Sequence, residues 1–434
     1  MNENVSASPR YAWYVVAVLM IANVSFWIDR QILSLLVVAI RRDLGLSMTD
    51  IGYLGAALAV FSTVMAVPIA RIADSSNRRN LIAAGIAVWS VMTALGGLAG
   101  TFRRLLLARI GVGAGEATLQ PAATSMLADY FPRERLGSAM GTYSMGIFIG
   151  SGVAYFVGGW IVGLVSSQDT LTWPIIGTIR PWQTVFMFVG LPGLLIAVLM
   201  FTVREPERRD HSRGTVPVSQ LLAYVRRNVR TFLCLSFGFA LSATVNLGIG
   251  AWLATFLIQS HGWPASRAGM IQGSLTMTVG ALGVVAGGRV ADALVRRGHS
   301  DAPLRVGIMG AAGMLVSATA YPFARSDVAA VLWLVLVNVF AAFPWGAASA
   351  AAAEMMPPFI RAQGTALYFF VTNLISITLG PISVAAIADY VFHSDAALPY
   401  ALAIVNILGM TGAILLFVIG MPAYRRTLST RDLA

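Results

Sequence analysis

Long apolar runs alternate with short polar stretches over the whole chain. A run of about 20 apolar residues is enough to cross a bilayer as a helix. On that length the chain divides into twelve spanning segments: 12–38, 50–70, 80–100, 104–128, 138–164, 182–203, 231–258, 266–288, 304–322, 328–353, 362–388 and 398–421. The first apolar stretch, Tyr11–Val38, is too long for a signal-peptide core and lacks a small-residue cleavage site, so it reads as a retained anchor. Arg204–Arg230 is the longest polar stretch and falls between the sixth and seventh segments. It separates an N-terminal six-helix half (1–203) from a C-terminal one (231–434), with 204–230 as linker. Within the linker, Val218, Leu221, Leu222, Val225 and Val229 recur at helical spacing, which predicts an amphipathic helix on the membrane surface over Val216–Arg230.

The two halves repeat each other. Ala70-Arg-Ile-Ala-Asp74-Ser-Ser-Asn-Arg78-Arg79 closes the second segment, and Gly288-Arg-Val-Ala-Asp292-Ala-Leu-Val-Arg296-Arg297 closes the eighth. Five of the ten positions are identical without a gap. Duplication of a six-helix unit predicts an all-α membrane protein of two pseudo-symmetric six-helix bundles around a central cavity, the architecture of a transporter.

Composition agrees with the pattern. Hydrophobic residues make up 57% of the 434 and charged ones 11%, against about 25% charged in soluble domains. The net charge of +11 raises nucleic acid as a partner, but its placement argues against that. Nearly all of it falls in loops on the side of the two termini, so the positive-inside rule puts both termini in the cytoplasm and the chain in the plasma (inner) membrane. The basic loops then face anionic lipid. The single cysteine, Cys234, lies in an apolar run and reads as a spectator thiol. The four histidines (211, 261, 299 and 393) fall between segments, which argues against an intramembrane metal or histidine relay. HExxH and GxSxG patterns are absent, so nothing points to an enzyme or a cofactor.

The informative residues are the few charges inside apolar segments, because an ionisable side chain at membrane depth is costly and marks a pathway or a partner. Arg109 and Glu116 lie seven residues apart on one face of the fourth segment, about 10 Å along the axis. Gly111, Gly113 and Gly115 between them let a neighbouring helix approach closely. Asp29 and Arg30 fall at a similar depth in the first segment. We expect Asp29–Arg109 and Arg30–Glu116 contacts. A buried carboxylate beside arginine is tipped between ionised and protonated by partner distance and water access. That assigns proton coupling to Glu116, Arg109 and Asp29, and contact with a charged head group to Arg30. Pro192–Gly193 and Gly380–Pro381 are expected kinks.

Asp74 with Arg78 and Arg79, and Asp292 with Arg296 and Arg297, fit a conformational latch at short turns. This decapeptide resembles the signature loop of the major facilitator superfamily, glycine-x-leucine-alanine-aspartate-arginine-x-glycine-arginine-arginine. The first copy departs from it at Ala70, Ser75 and Asn77. Asp29-Arg30, Trp89-Ser90, Arg109-Ile-Gly-Val-Gly-Ala-Gly-Glu116-Ala, Pro121 and Asp129-Tyr-Phe-Pro resemble the Spinster branch of that superfamily, and the anion:cation symporter branch shares several of these features. The Spinster resemblance implies proton-coupled movement of an amphipathic lipid such as a lysolipid or sphingolipid, with Glu116 as proton site and Arg109 as its gatekeeper. The second half carries no intramembrane charge. Its polar positions Asn246, Asn338 and Asn373 lie among Phe239, Trp252, Trp345 and Tyr368, a composition suited to an oily tail. Asn246, Trp345, Asn373 and Tyr368 are therefore expected to join Arg30 in binding substrate. The rival expectation is a symporter of small organic anions, carboxylates or sugar acids, gripped by Arg30 and Arg109. A monomer is expected.

Overall fold

The computed structural model describes residues 9–131, 133–165, 171–173, 177–207, 218–357 and 360–430. The chain is a helical membrane protein. Among the described residues, eleven helices are long and apolar enough to span a bilayer, one fewer than the hydropathy pattern predicts. The difference lies in the fourth segment. Its expected single helix is two, α4 (Phe102–Glu116) and α5 (Leu119–Tyr130), each too short to span alone. Pro121 explains the joint. It has no N–H to offer the Ala117 carbonyl, and its ring clashes with that carbonyl. At the end of α4 the Ala117 N–H donates to Gly113 O (3.2 Å), and the Thr118 hydroxyl turns back to Gly115 O (2.9 Å).

The chain separates into two compact units, Met1–Ser212 with Pro264–Gly273, and Arg213–Trp263 with Ser274–Ala434. In the first unit α1 (Pro9–Leu44) packs along α6 (Arg133–Val165), and α3 (Arg78–Gly96) lies against α7 (Pro181–Met200). The half-helix α4 lies between α3 and α2 (Met48–Ser75). Its glycines make this possible. A Cβ on Gly113 would come within 2.2 Å of the Leu58 carbonyl oxygen, and one on Gly115 within 2.7 Å of the Gly85 carbonyl. The helix α2 starts with a capping box in which Ser47 and Asp50 exchange bonds. Between α6 and α7 the strands β1 (Leu171–Trp173) and β2 (Gly177–Ile179) form a short antiparallel ribbon, which the apolar pattern did not indicate.

In the second unit α8 (Val218–Arg227) is the linker helix, shorter than expected because the chain turns at Asn228. Positions 216–217 lie outside the described residues. Leu221 is buried, Leu222 and Val229 are exposed, and the Tyr224 hydroxyl donates to Met355 O at 2.7 Å. The spans that follow start with α9 (Val229–His261). The eighth combines α10 (Ala265–Leu275), most of which belongs to the first unit, with a π-helical turn at Thr276–Gly280 and α11 (Ala281–Arg296) in the second. Next come α12 (Ala302–Ala320), α13 (Asp327–Ala342), α14 (Trp345–Glu354), α15 (Arg361–Ala386) and α16 (Leu398–Thr430). The tenth span is interrupted between α13 and α14, at Phe343–Pro344, as the fourth is at Ala117–Thr118. The helices run unbroken through Pro192 and Pro381.

Candidate functional site

Four charged side chains converge in the first unit. Glu116 is the last residue of α4, so the helix break delivers it to the joint. Its Oε2 accepts from Arg30 Nε at 2.8 Å, and its side chain is fully buried while that of Arg30 is 16% exposed. The expected Arg30–Glu116 contact is present. Arg30 Nη2 also donates to Ser62 on α2 at 3.0 Å. Its guanidinium lies 4.4 Å from the Phe26 ring centroid and 5.8 Å from that of Trp27. Phe26 sits one helical turn before Arg30, a spacing from which the stacking was readable.

The expected Asp29–Arg109 contact is made through the backbone and not as an ion pair of side chains. Arg109 Nη2 reaches the backbone carbonyl of Asp29 at 3.4 Å. The Asp29 carboxylate accepts a 2.6 Å bond from the Thr93 hydroxyl on α3. Asp29 and Arg30 are neighbours on a helix, so their side chains point about 100° apart. With Arg30 turned to Glu116, Asp29 faces α3. Arg109 is 2% exposed, and among the described residues its Nε and Nη1 find no hydrogen-bond partner in the protein, nor does Glu116 Oε1. Its guanidinium lies 5.9 Å from the Phe186 ring on α7. A buried guanidinium and a buried carboxylate thus each keep unused hydrogen-bonding capacity, a costly arrangement in a static core. Sequence reasoning missed Thr93, Ser62, Phe26 and Phe186.

Arg78 opens α3 and is buried. Its Nη1 meets Asp129 at the end of α5 at 2.5 Å, and its Nε meets Glu205 beyond α7 at 2.7 Å. The Arg79 backbone N–H donates to Glu205 at 2.9 Å. One guanidinium therefore joins the ends of three elements. The side chain of Asp74 lies outside the described residues. The second copy is arranged differently. Asp292, Arg296 and Arg297 are exposed, and no ion pair among the described residues includes them. A buried clamp in that unit is instead Asp301, which accepts from Arg305 Nε (3.0 Å) and from Arg425 Nη2 on α16 (2.7 Å). Burial favours the neutral acid, but these hydrogen bonds and charges outweigh it and hold Asp301 below the ordinary carboxylate range.

Of the residues expected to bind substrate in the second unit, Trp345 and Asn373 are exposed. Asn246 is half-buried and donates to Ala341 O at 3.5 Å. Tyr368 is buried, edge-on to Phe369. Trp252 is buried and donates to Pro381 O at 2.9 Å, and Phe239 packs on Phe417. Asn338 donates to Leu334 O at 2.9 Å. His261, expected between segments, ends α9 and meets Asp327 at 3.3 Å. His211 lies outside the described residues.

Helices interrupted at the fourth and tenth spans, and charges held in the interior of a membrane domain, are features of membrane transporters. The chain belongs to the Major Facilitator Superfamily, whose family model matches residues 19–381. Within it the chain is Spinster-like. A solved bacterial homolog of the human lysosomal transporter Spinster, inward-facing and occupied, superposes with a TM-score of 0.78 at 27% identity, covering 98% of each chain. "Protein spinster" of Drosophila melanogaster is 25% identical over 73% of this chain, though the match spans 51% of its length. An "MFS-type efflux pump" of Mycolicibacterium smegmatis is 26% identical over 88% of this chain and 85% of its own. A "probable L-galactonate transporter" of Escherichia coli is 27% identical over 72% and 69% respectively.

Proposed function

We propose that this secondary transporter is proton-coupled and moves an amphipathic, lipid-like substrate of the lysolipid or sphingolipid type by alternating access in the plasma (inner) membrane, with both termini cytoplasmic. The halves 1–203 and 231–434, joined by 204–230, act as its two working bodies. The observation that carries this reading is the buried Arg30–Glu116 pair beside a partly unpaired Arg109. A proton added to Glu116 weakens its hold on Arg30. Arg30, the partly exposed member, then takes the substrate's charged head group. A ligand shifts only equilibria between states that it binds unequally, and the proton does so because it breaks an ion pair. Asn246, Trp345, Asn373 and Tyr368 are the proposed contacts for the rest of the substrate. Asp74, Arg78, Arg79, Asp292, Arg296 and Arg297 are the proposed latch.

The test is transport of a fluorescent lysophospholipid in proteoliposomes with an imposed pH gradient. Glu116→Gln is expected to abolish the response to the gradient while the protein folds and inserts normally. Gradient-driven flux unchanged in that variant rejects the proton role. The galactonate relative favours a second reading, a sugar-acid symporter with Arg30 and Arg109 gripping the carboxylate. Thermal stabilisation by galactonate, with none by lysolipids or sphingoid bases, selects it.

A further inference from the structure

Asp29 is the tetrad's other carboxylate, and it makes no ion pair among the described residues. Its hydrogen-bonding side-chain partner is Thr93, at 2.6 Å, and both residues are 1% exposed. The chemistry of that partner matters. Arginine only donates, so a paired arginine serves an ionised carboxylate and has nothing to accept from a protonated one. A hydroxyl both donates and accepts. Thr93 donates to Asp29 when the carboxylate is ionised, and it accepts from the Asp29 O–H when the acid is protonated. The contact survives protonation by reversing.

Thr93 is the side chain that bonds directly to this carboxylate, and the charges around it act without a hydrogen bond to it. From α4, Arg109 and Glu116 are the charged groups near Asp29, and Arg109 Nη2 donates to the Asp29 backbone carbonyl rather than to its carboxylate. Arg30 on α1 itself is turned to Glu116 and Ser62. Elsewhere in α3 the ionisable residues are Arg78 and Arg79 at its start, and α7 has none. The helix α6 brings the buried Tyr143, whose backbone carbonyl accepts from Asn23, and Tyr155, whose hydroxyl donates to Gln31. The charges of α2 and α5 lie toward their ends, at Asp50, Arg71, Asp74 and Asp129. Ser90, one turn before Thr93, is buried too, but its hydroxyl has no hydrogen-bond partner among the described residues and sits where a Cβ on Gly193 would come within 2.1 Å.

We propose that Thr93 is a positioning residue that holds the carboxyl of Asp29, already expected to take part in proton coupling, and that its hydrogen bond tunes the pH at which Asp29 takes up a proton. The step is a simple transfer. A hydronium on the open side gives up its proton, the Asp29 O–H bond forms, and water is left; the reverse occurs on the other side. The inference rests on the proton-coupled reading for its role in transport, but not for its chemistry.

The experiment is a pH titration of the buried carboxyl C=O stretch by infrared difference spectroscopy on the purified full-length protein. The variants are Thr93→Val, Thr93→Ser and Ser90→Ala, each alone and combined with Asp29→Asn. One titrating band is expected to vanish in Asp29→Asn. Thr93→Val loses both bonds, and because the charge-assisted bond to the ionised acid is the stronger of the two, that band's midpoint moves to higher pH by about one unit, a tenfold gain in proton affinity. Thr93→Ser restores the wild-type midpoint, and Ser90→Ala leaves it unchanged. An unmoved midpoint in Thr93→Val overturns the proposal, as does an equal shift in Ser90→Ala or the survival of every band in Asp29→Asn. If the bands behave as stated but lysolipid flux ignores the pH gradient, coupling fails and the Thr93–Asp29 assignment stands.

Discussion

Arg30 does three things with one side chain. It neutralises Glu116, donates to Ser62 and stacks on Phe26. Lysine keeps the charge but loses the planar fork and the face that stacks. Arg30→Lys is therefore expected to lower lysolipid transport about tenfold, on the order of the 1–2 kcal/mol of a desolvated cation–π contact. Flux measured at saturating and limiting substrate checks it; wild-type rates at both would show that charge alone suffices. The Arg30–Glu116 pair was legible in the sequence because charges inside apolar segments stand out and their depths follow from helical rise. For Asp29–Arg109 depth gave the proximity but not the form of the contact, because depth does not fix rotation. Two adjacent residues on α1 cannot both face α4, and the sequence does not say which will. Thr93 was invisible for a related reason. Hydroxyl residues recur throughout these spans, and only packing decides which one meets a carboxylate.

Hydropathy located the spans at the scale of elements but not the joints within them. A window of about 20 residues averages over one proline, so Pro121 and Pro344 left the fourth and tenth segments looking continuous. Proline is not sufficient by itself, since α7 and α15 run through Pro192 and Pro381. At the fourth span the joint is also filled from outside. A Cβ on Gly85 of α3 would lie 1.8 Å from the Thr118 hydroxyl oxygen, so α3 fits closely around the break. The joint places Glu116 at a helix end, on a backbone free to change direction there. Pro121→Ala restores an N–H that can bond to Ala117 O, and so favours one continuous helix. It is expected to leave thermal stability equal or higher by a few degrees while cutting transport at least tenfold. Undiminished flux from a protein with the same melting temperature would mean that the break has no part in turnover.

The repeat was legible in the whole molecule, but its symmetry is looser in chemistry than in sequence. The decapeptide loops match at five of ten positions, yet the buried clamps have opposite polarity. In the first unit a cation, Arg78, gathers two carboxylates; in the second an anion, Asp301, gathers two arginines. Asp301 lies five residues beyond Arg296, outside the repeated motif, so comparing the copies could not find it. The second clamp gives a pH prediction whose sign is fixed. The native pairings hold the Asp301 carboxyl below its ordinary value. Its contribution is therefore full above about pH 4, where an unfolded aspartate is ionised, and is lost as pH falls through the lower native value. Arg425 is half exposed and Arg305 about a third, so solvent discounts the pair to about 1–2 kcal/mol. Asp301→Asn should then lower the melting temperature by about 2–8 °C at pH 7. The gap between variant and wild type should close as both are acidified below pH 4. A gap that stays constant down to pH 3 would mean that the asparagine costs packing rather than charge, and that the second unit's clamp does not depend on ionisation.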